Sequence, residues 1–106
     1  MPKKETGSAA MLVLALLKGG EMYGYQIIEE LARRSENVFQ FKEGTLYPVL
    51  HGLEKDRLLS VREAEAPNGR MRRYYAITEK GLRVLEEKER EWTAFSRAVS
   101  AILAGA

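Results

Sequence analysis

Apolar positions crowd the start of this chain, line one side of two short helical stretches, alternate through its middle and recur at sevens near its end. Residues 1 to 6 are polar and predict a frayed start. Ser8 is placed to cap a first helix that runs to about Lys18 and stops at Gly19-Gly20. Ala10, Met11, Leu12, Val13, Leu14, Ala15, Leu16 and Leu17 make that helix apolar nearly all round. Such a helix needs burial on several sides, more than a 106-residue monomer easily provides, and so points to a subunit interface. A second helix is predicted from about Gly24 to Arg34. Tyr25, Ile28, Leu31 and Ala32 fall at helical spacing, Ile27 widens the stripe, and Glu29, Glu30, Arg33 and Arg34 form the wet face. Phe39-Gln40-Phe41 reads as a short extended piece.

A third helix is predicted from near Glu43 to near Asp56, with Leu46, Val49, Leu50 and Leu53 on one face. Gly44, Pro48, His51 and Lys55 lie opposite, flanked by Thr45 and Tyr47. Pro48 falls early, where a missing N–H costs least. Leu58 to Ala66 then reads as a strand with Leu59, Val61 and Ala64 apolar. Pro67-Asn68-Gly69 is a turn, because Asn-Gly accepts positive φ. Met71 to Thr78 returns as a second strand with Met71, Tyr75 and Ile77 facing inward. Thr78 or Glu79 caps a long last helix that reaches about Leu103. In it Leu85, Trp92 and Val99 are spaced by seven, and so are Lys88, Phe95 and Ile102. That coiled-coil-like seam predicts a second copy of the helix as partner. The alternative is a helix folded back on its own domain.

Helix, helix, helix, basic hairpin and long helix, with no repeat, is the plan of a winged helix-turn-helix. The fold class expected is therefore α+β, mainly α. Residues 1–78 would form the DNA-binding domain, with the first helix also in the dimer interface, and residues 79–106 the dimerisation helix. Leu12, Leu16, Leu85, Trp92, Phe95, Val99 and Ile102 are the expected interface residues.

Composition narrows the function. At 45% hydrophobic residues the chain can build a core, so global disorder is excluded. No run of eighteen apolar residues occurs, and the apolar stretch Ala9 to Leu17 lacks the small-residue cleavage site of a signal peptide. There is no cysteine and one histidine, His51, so neither a disulfide framework nor a thiolate metal site is available. A cytoplasmic protein without a cofactor is expected. The net charge of +2 says little, but its placement says more. Arg70, Arg72 and Arg73 cluster in the hairpin without an acid among them, whereas Glu79 to Glu91 holds five glutamates against four basic residues.

The third helix has the small and polar outer surface that close approach to base edges requires, in Gly44, Thr45, Pro48 and His51. Tyr47 either contacts a phosphate or thymine methyl or packs its ring in the core. In the hairpin Arg70 and Arg72 point to one side and Met71 and Arg73 to the other. Their guanidinium groups reach phosphate or the minor groove, or else pair with Glu63 and Glu65 on the facing strand. Tyr23 and Gln26, at the start of the second helix, are placed to bond phosphate oxygens, with Tyr25 assigned to the core. The carboxylates Glu86 to Glu91 read as a solvated helix face. Nothing forms a nucleophile triad or phosphate loop, so an enzyme is not expected. The rival from another class is a winged helix that binds protein and not DNA.

Met22-Tyr23-Gly24-Tyr25-Gln26-Ile27-Ile28, the run Glu43 to Glu54 containing Gly44-Thr45-Leu46-Tyr47-Pro48, and Arg72-Arg73-Tyr74-Tyr75 through Thr78-Glu79-Lys80-Gly81 together resemble the PadR family of bacterial transcriptional regulators. With the leading helix they cover nearly the whole chain, and the length is similar to that of short members with a single C-terminal helix. The resemblance implies a homodimer on a palindromic operator, usually a repressor released by an effector. It also implies a place for a flat aromatic effector against tryptophan, here Trp92.

Overall fold

The computed structural model describes residues 2–105, and side chains from residue 8 onward. Its elements are α1 (Pro2–Leu17), β1 (Met22–Tyr23), α2 (Gly24–Arg34), α3 (Glu43–Lys55), β2 (Leu59–Glu65), β3 (Met71–Ile77) and α4 (Glu79–Leu103). The three strands form one antiparallel sheet in the order β1-β3-β2. Val13, Leu14 and Leu17 of α1 meet Ile27 and Leu31 of α2, Leu46, Leu50 and Leu53 of α3, Leu59 and Tyr75 of the sheet, and Leu85 of α4 in a single core. This is the mainly helical α+β winged helix-turn-helix of the hydrophobic pattern, with the long C-terminal helix in place.

Several expectations are corrected. α1 starts at Pro2, a residue suited to the first helical position, so Ser8 lies inside the helix and does not cap it. β1 pairs Met22 with Tyr75 and Tyr23 with Tyr74, and two residues are too few to show a period. Tyr25 is 57% exposed, because α2 turns its Ile27–Leu31 edge inward. Met71 is 62% exposed, since it pairs with Glu65 at the far end of the hairpin, beyond the helices. Pro48 is the sixth residue of α3, not part of its first turn. Lacking an N–H, it leaves the carbonyl of Gly44 without its helical donor, on a face where both residues are exposed. Leu16 and Leu85 were expected in the dimer interface. Both are buried in the subunit's own core, at 4% and 1% exposure.

The helix ends show why the turns take their shape. α2 and α3 both close with the double hydrogen bond of a Schellman motif. After α2, Glu36 N–H donates to Arg33 O (3.3 Å) and Asn37 N–H to Ala32 O (2.7 Å). After α3, Arg57 N–H donates to Glu54 O and Leu58 N–H to Leu53 O, each at 2.9 Å. Glycine ordinarily takes the left-handed position of this motif, yet here Glu36 (φ 51°) and Arg57 (φ 65°) hold it. Arg57→Gly is therefore expected to raise stability by up to about 1 kcal/mol, read as a higher denaturant midpoint at unchanged slope.

The Thr78 hydroxyl joins the wing to α4. It donates to the carbonyl of Arg57 (2.8 Å) and accepts the N–H of Gly81 (3.0 Å), which caps α4 as expected. Gly81 lies against the backbone of Leu58, so the first turns of α4 pack onto the winged domain.

Candidate nucleic-acid interface

The amphipathic spacing of α3 buries Leu46, Leu50 and Leu53 and turns Gly44, Thr45, Pro48, His51 and Gly52 to solvent. A methyl group added at Gly44 or Gly52 would meet nothing within 4 Å. The outer face is thus low in relief and built of short side chains. Among the described residues no group of three or more His, Cys, Asp or Glu side chains is arranged to hold a metal.

Tyr47 is half-buried, and the structure favours packing for it. A Cβ at Gly24 would stand 2.8 Å from Tyr47 Cζ and closer still to its hydroxyl. Burial first, then the Glu43 carboxylate and Tyr75, push the Tyr47 hydroxyl above its ordinary pKa. Gly24 is what lets α3 lie close to the start of α2. At that start Gln26 turns back on its own helix, its Oε1 accepting the N–H of Tyr23 at 3.4 Å. These contacts hold α3 against the N-terminal turn of α2.

The three hairpin arginines have different fates. Gly69 (φ 84°) makes the turn, and Asn68 Oδ1 accepts the N–H of Arg70 at 3.0 Å. The Arg70 side chain is exposed at the tip, and no acid lies within ion-pair distance of it among the described residues. Arg72 places its guanidinium 4.1 Å from the centre of the Tyr23 ring. Arg73 binds Glu54 of α3 at 3.2 Å. Glu63 is its cross-strand neighbour, yet in place of the alternative pairing with Glu63 and Glu65 the side chain makes a bridge between wing and α3. Tyr75, followed by Glu54 and Glu63, holds the Arg73 guanidinium above its ordinary pKa.

Arg62 and Glu21 went unnoticed in the sequence. Arg62 donates from Nε to Glu21 Oε1 at 3.0 Å and lies 4.8 Å from the centre of the Tyr74 ring. The partners are 41 residues apart, and only the sheet register brings them together.

On α4 no residue beyond Leu85 is buried. Trp92 and Phe95 are 51% and 53% exposed, with ring centres 6.0 Å apart and a 33° tilt. Val99 is half-buried and Ile102 is 77% exposed. Leu12 is half-buried and packs against the core from α1.

A family model described as the transcriptional regulator PadR-like family matches residues 13–87, from the buried part of α1 through the first turns of α4. The chain belongs to the PadR-like family. It is 39% identical over 79 residues to a transcriptional regulator of Mycobacterium tuberculosis, covering 74% of this chain and 70% of that one. A PadR family transcriptional regulator from Eggerthella lenta superposes with a TM-score of 0.81 at 34% identity, over 92% of this chain and 82% of that one. A PadR-like transcriptional regulator from Bacillus cereus superposes at 0.79 with 31% identity, over 92% of both chains. PadR-like membership makes this a DNA-binding winged-helix regulator of transcription and not an enzyme family. No helix among the described residues is long and apolar enough to cross a membrane.

Proposed function

We propose that this protein is a repressor that binds a palindromic operator as a homodimer, with a cytoplasmic site of action. Residues 1–78 grip each half-site and residues 79–106 join the subunits. The outer face of α3, through Gly44, Thr45, Pro48 and His51, enters the major groove. Neither Arg, Asn nor Gln lies on that face, so part of the sequence preference comes from DNA shape read by the wing. Tyr23 and Gln26 sit beside the phosphate backbone at the start of α2. Trp92 and Phe95 offer a flat aromatic effector a stacking surface at the joint between subunits.

The observation that carries this reading is the exposed, acid-free Arg70 at the tip of a hairpin tied to α3 by the Arg73–Glu54 pair. A wing that served only to bind protein would not need that cation. The test is affinity for random-sequence duplex as salt is raised, in the wild type and in Arg70→Ala. Each phosphate neutralised contributes roughly 0.9 to the slope of log K against log salt. Arg70→Ala is expected to keep its melting transition, bind more weakly at low salt and lose about one from that slope per subunit. Salt-independent binding by the wild type would overturn DNA binding. An unchanged slope in the variant would remove the wing from it.

A further inference from the structure

The outward row of the sheet is a ladder that no contact with the core explains. Tyr23, Tyr74 and Arg62 are register partners across β1, β3 and β2, and all three lie on the face opposite Met22, Tyr75 and Val61, which pack against the core. Arg72 lies over the Tyr23 ring at 4.1 Å, and Tyr23 meets Tyr74 edge to face at 5.7 Å with a 77° angle. Arg62 lies over Tyr74 at 4.8 Å and is gripped by both oxygens of Glu21. The row therefore begins in one cation, passes through two rings and ends in a second cation.

The two cations differ in what their N–H groups do. The Arg62 fork is occupied by the Glu21 carboxylate, and that pair is close to neutral. The Arg72 guanidinium has only the ring of Tyr23, and its N–H donors have no acceptor among the described residues. Contact with a ring restrains a guanidinium without using its donors, which remain free for a planar or tetrahedral oxyanion. Arg72 also stands beside the first turn of α2, whose backbone N–H groups attract anions.

We propose that Arg72 is a phosphate ligand pre-oriented by Tyr23, and that Arg62, held by Glu21, is a positioning residue that acts on it through Tyr74. The proposal deepens the DNA-binding reading above and rests on it. The ligand is a backbone phosphate at the edge of the half-site, where wing and α2 meet. Tyr23 serves here through its ring, and the ladder sets the angle of the wing against α2 before DNA arrives. Restraining Arg72 in advance removes part of the ordering cost of binding.

The test is a double-mutant cycle on duplex binding with Tyr23→Leu, Tyr23→Phe, Arg62→Ala, Arg62→Lys and Arg72→Ala, each checked for an intact melting transition. Arg72→Ala is expected to cost roughly tenfold or more in affinity, the range of a hydrogen bond to a charged group, and to lower the salt slope by about one per subunit. Tyr23→Leu should cost as much, and nothing further in the Arg72→Ala background, whereas Tyr23→Phe, which keeps the ring and loses only the hydroxyl, should cost clearly less than Tyr23→Leu. Arg62→Ala should weaken binding severalfold only while Arg72 is present. Arg62→Lys should behave like Arg62→Ala, since an ammonium restores charge but not the forked grip on Glu21. Wild-type affinity in Arg72→Ala would overturn the proposal. So would additive losses from Arg62 and Arg72, or rescue by Arg62→Lys, which mark Arg62 as a mere surface charge. Arg70→Ala, measured alongside, separates this from failure of the DNA-binding reading: an Arg70 effect without an Arg72 effect sinks the ladder alone.

Discussion

Gly81→Ala is expected to destabilise the protein by roughly 2 kcal/mol or more, although alanine is the better helix former by about 1 kcal/mol. A Cβ at this position in the first turn of α4 would overlap the Leu58 carbonyl oxygen, stand 3.2 Å from the Leu58 carbonyl carbon and 2.8 Å from Ile77 Cγ1. Two of these neighbours are backbone and cannot rotate away. α4 would have to lift from the backbone at Leu58, and the Thr78 hydroxyl that joins Arg57 to Gly81 would lose at least one partner. Gly52→Ala provides the opposite sign from the same chemistry. Nothing lies within 4 Å of an added methyl there, so it should gain about 1 kcal/mol from helix propensity. Urea unfolding of the two variants checks both. Equal shifts in one direction would show that the packing of α4 against Leu58 does not depend on the missing side chain.

The contrast between these glycines marks where sequence reading works and where it stops. α3 is legible because Leu46, Leu50 and Leu53 repeat at helical spacing, and its outer face then follows by subtraction. The hairpin is legible from Asn68-Gly69, and the start of α4 from Thr78 three residues ahead of an N–H it can accept. Those signals are local. Gly24 and Gly81 look alike in the sequence, yet one makes room for the Tyr47 ring and the other for the Leu58 backbone. Arg57 and Glu36 take left-handed positions with no glycine to announce them. Heptad spacing placed Leu85 in a seam with Trp92 and Val99, but the helix enters the core at its first turns and leaves it afterwards, so one stripe serves two environments. The roles of Arg62, Arg72 and Arg73 depend on Glu21, Tyr23 and Glu54, which strand register supplies and residue spacing does not.

Trp92→Asp is expected to give a folded monomer whose operator affinity falls roughly a hundredfold or more, the scale at which two linked half-sites exceed one. α4 continues for eighteen residues beyond Leu85 without burying one of them, and over that stretch Trp92, Phe95, Val99 and Ile102 keep to one side. A helix standing away from its domain with large apolar surface uncovered is stable when that surface meets its own copy. In a twofold pair the same stripe faces itself, and Leu12 of α1 can extend the patch where α1 packs against α4. An aspartate at position 92 would carry its charge into that joint twice, where desolvating an unpaired carboxylate costs far more than losing an indole. The subunit should survive, because Trp92 is half in solvent and absent from the core that Leu14, Leu50, Tyr75 and Leu85 share. Sedimentation equilibrium of both proteins and binding to a selected operator decide the matter. A folded wild-type monomer at concentrations far above those used for binding would overturn the dimer, and a variant that dimerises and binds as before would move the interface off α4.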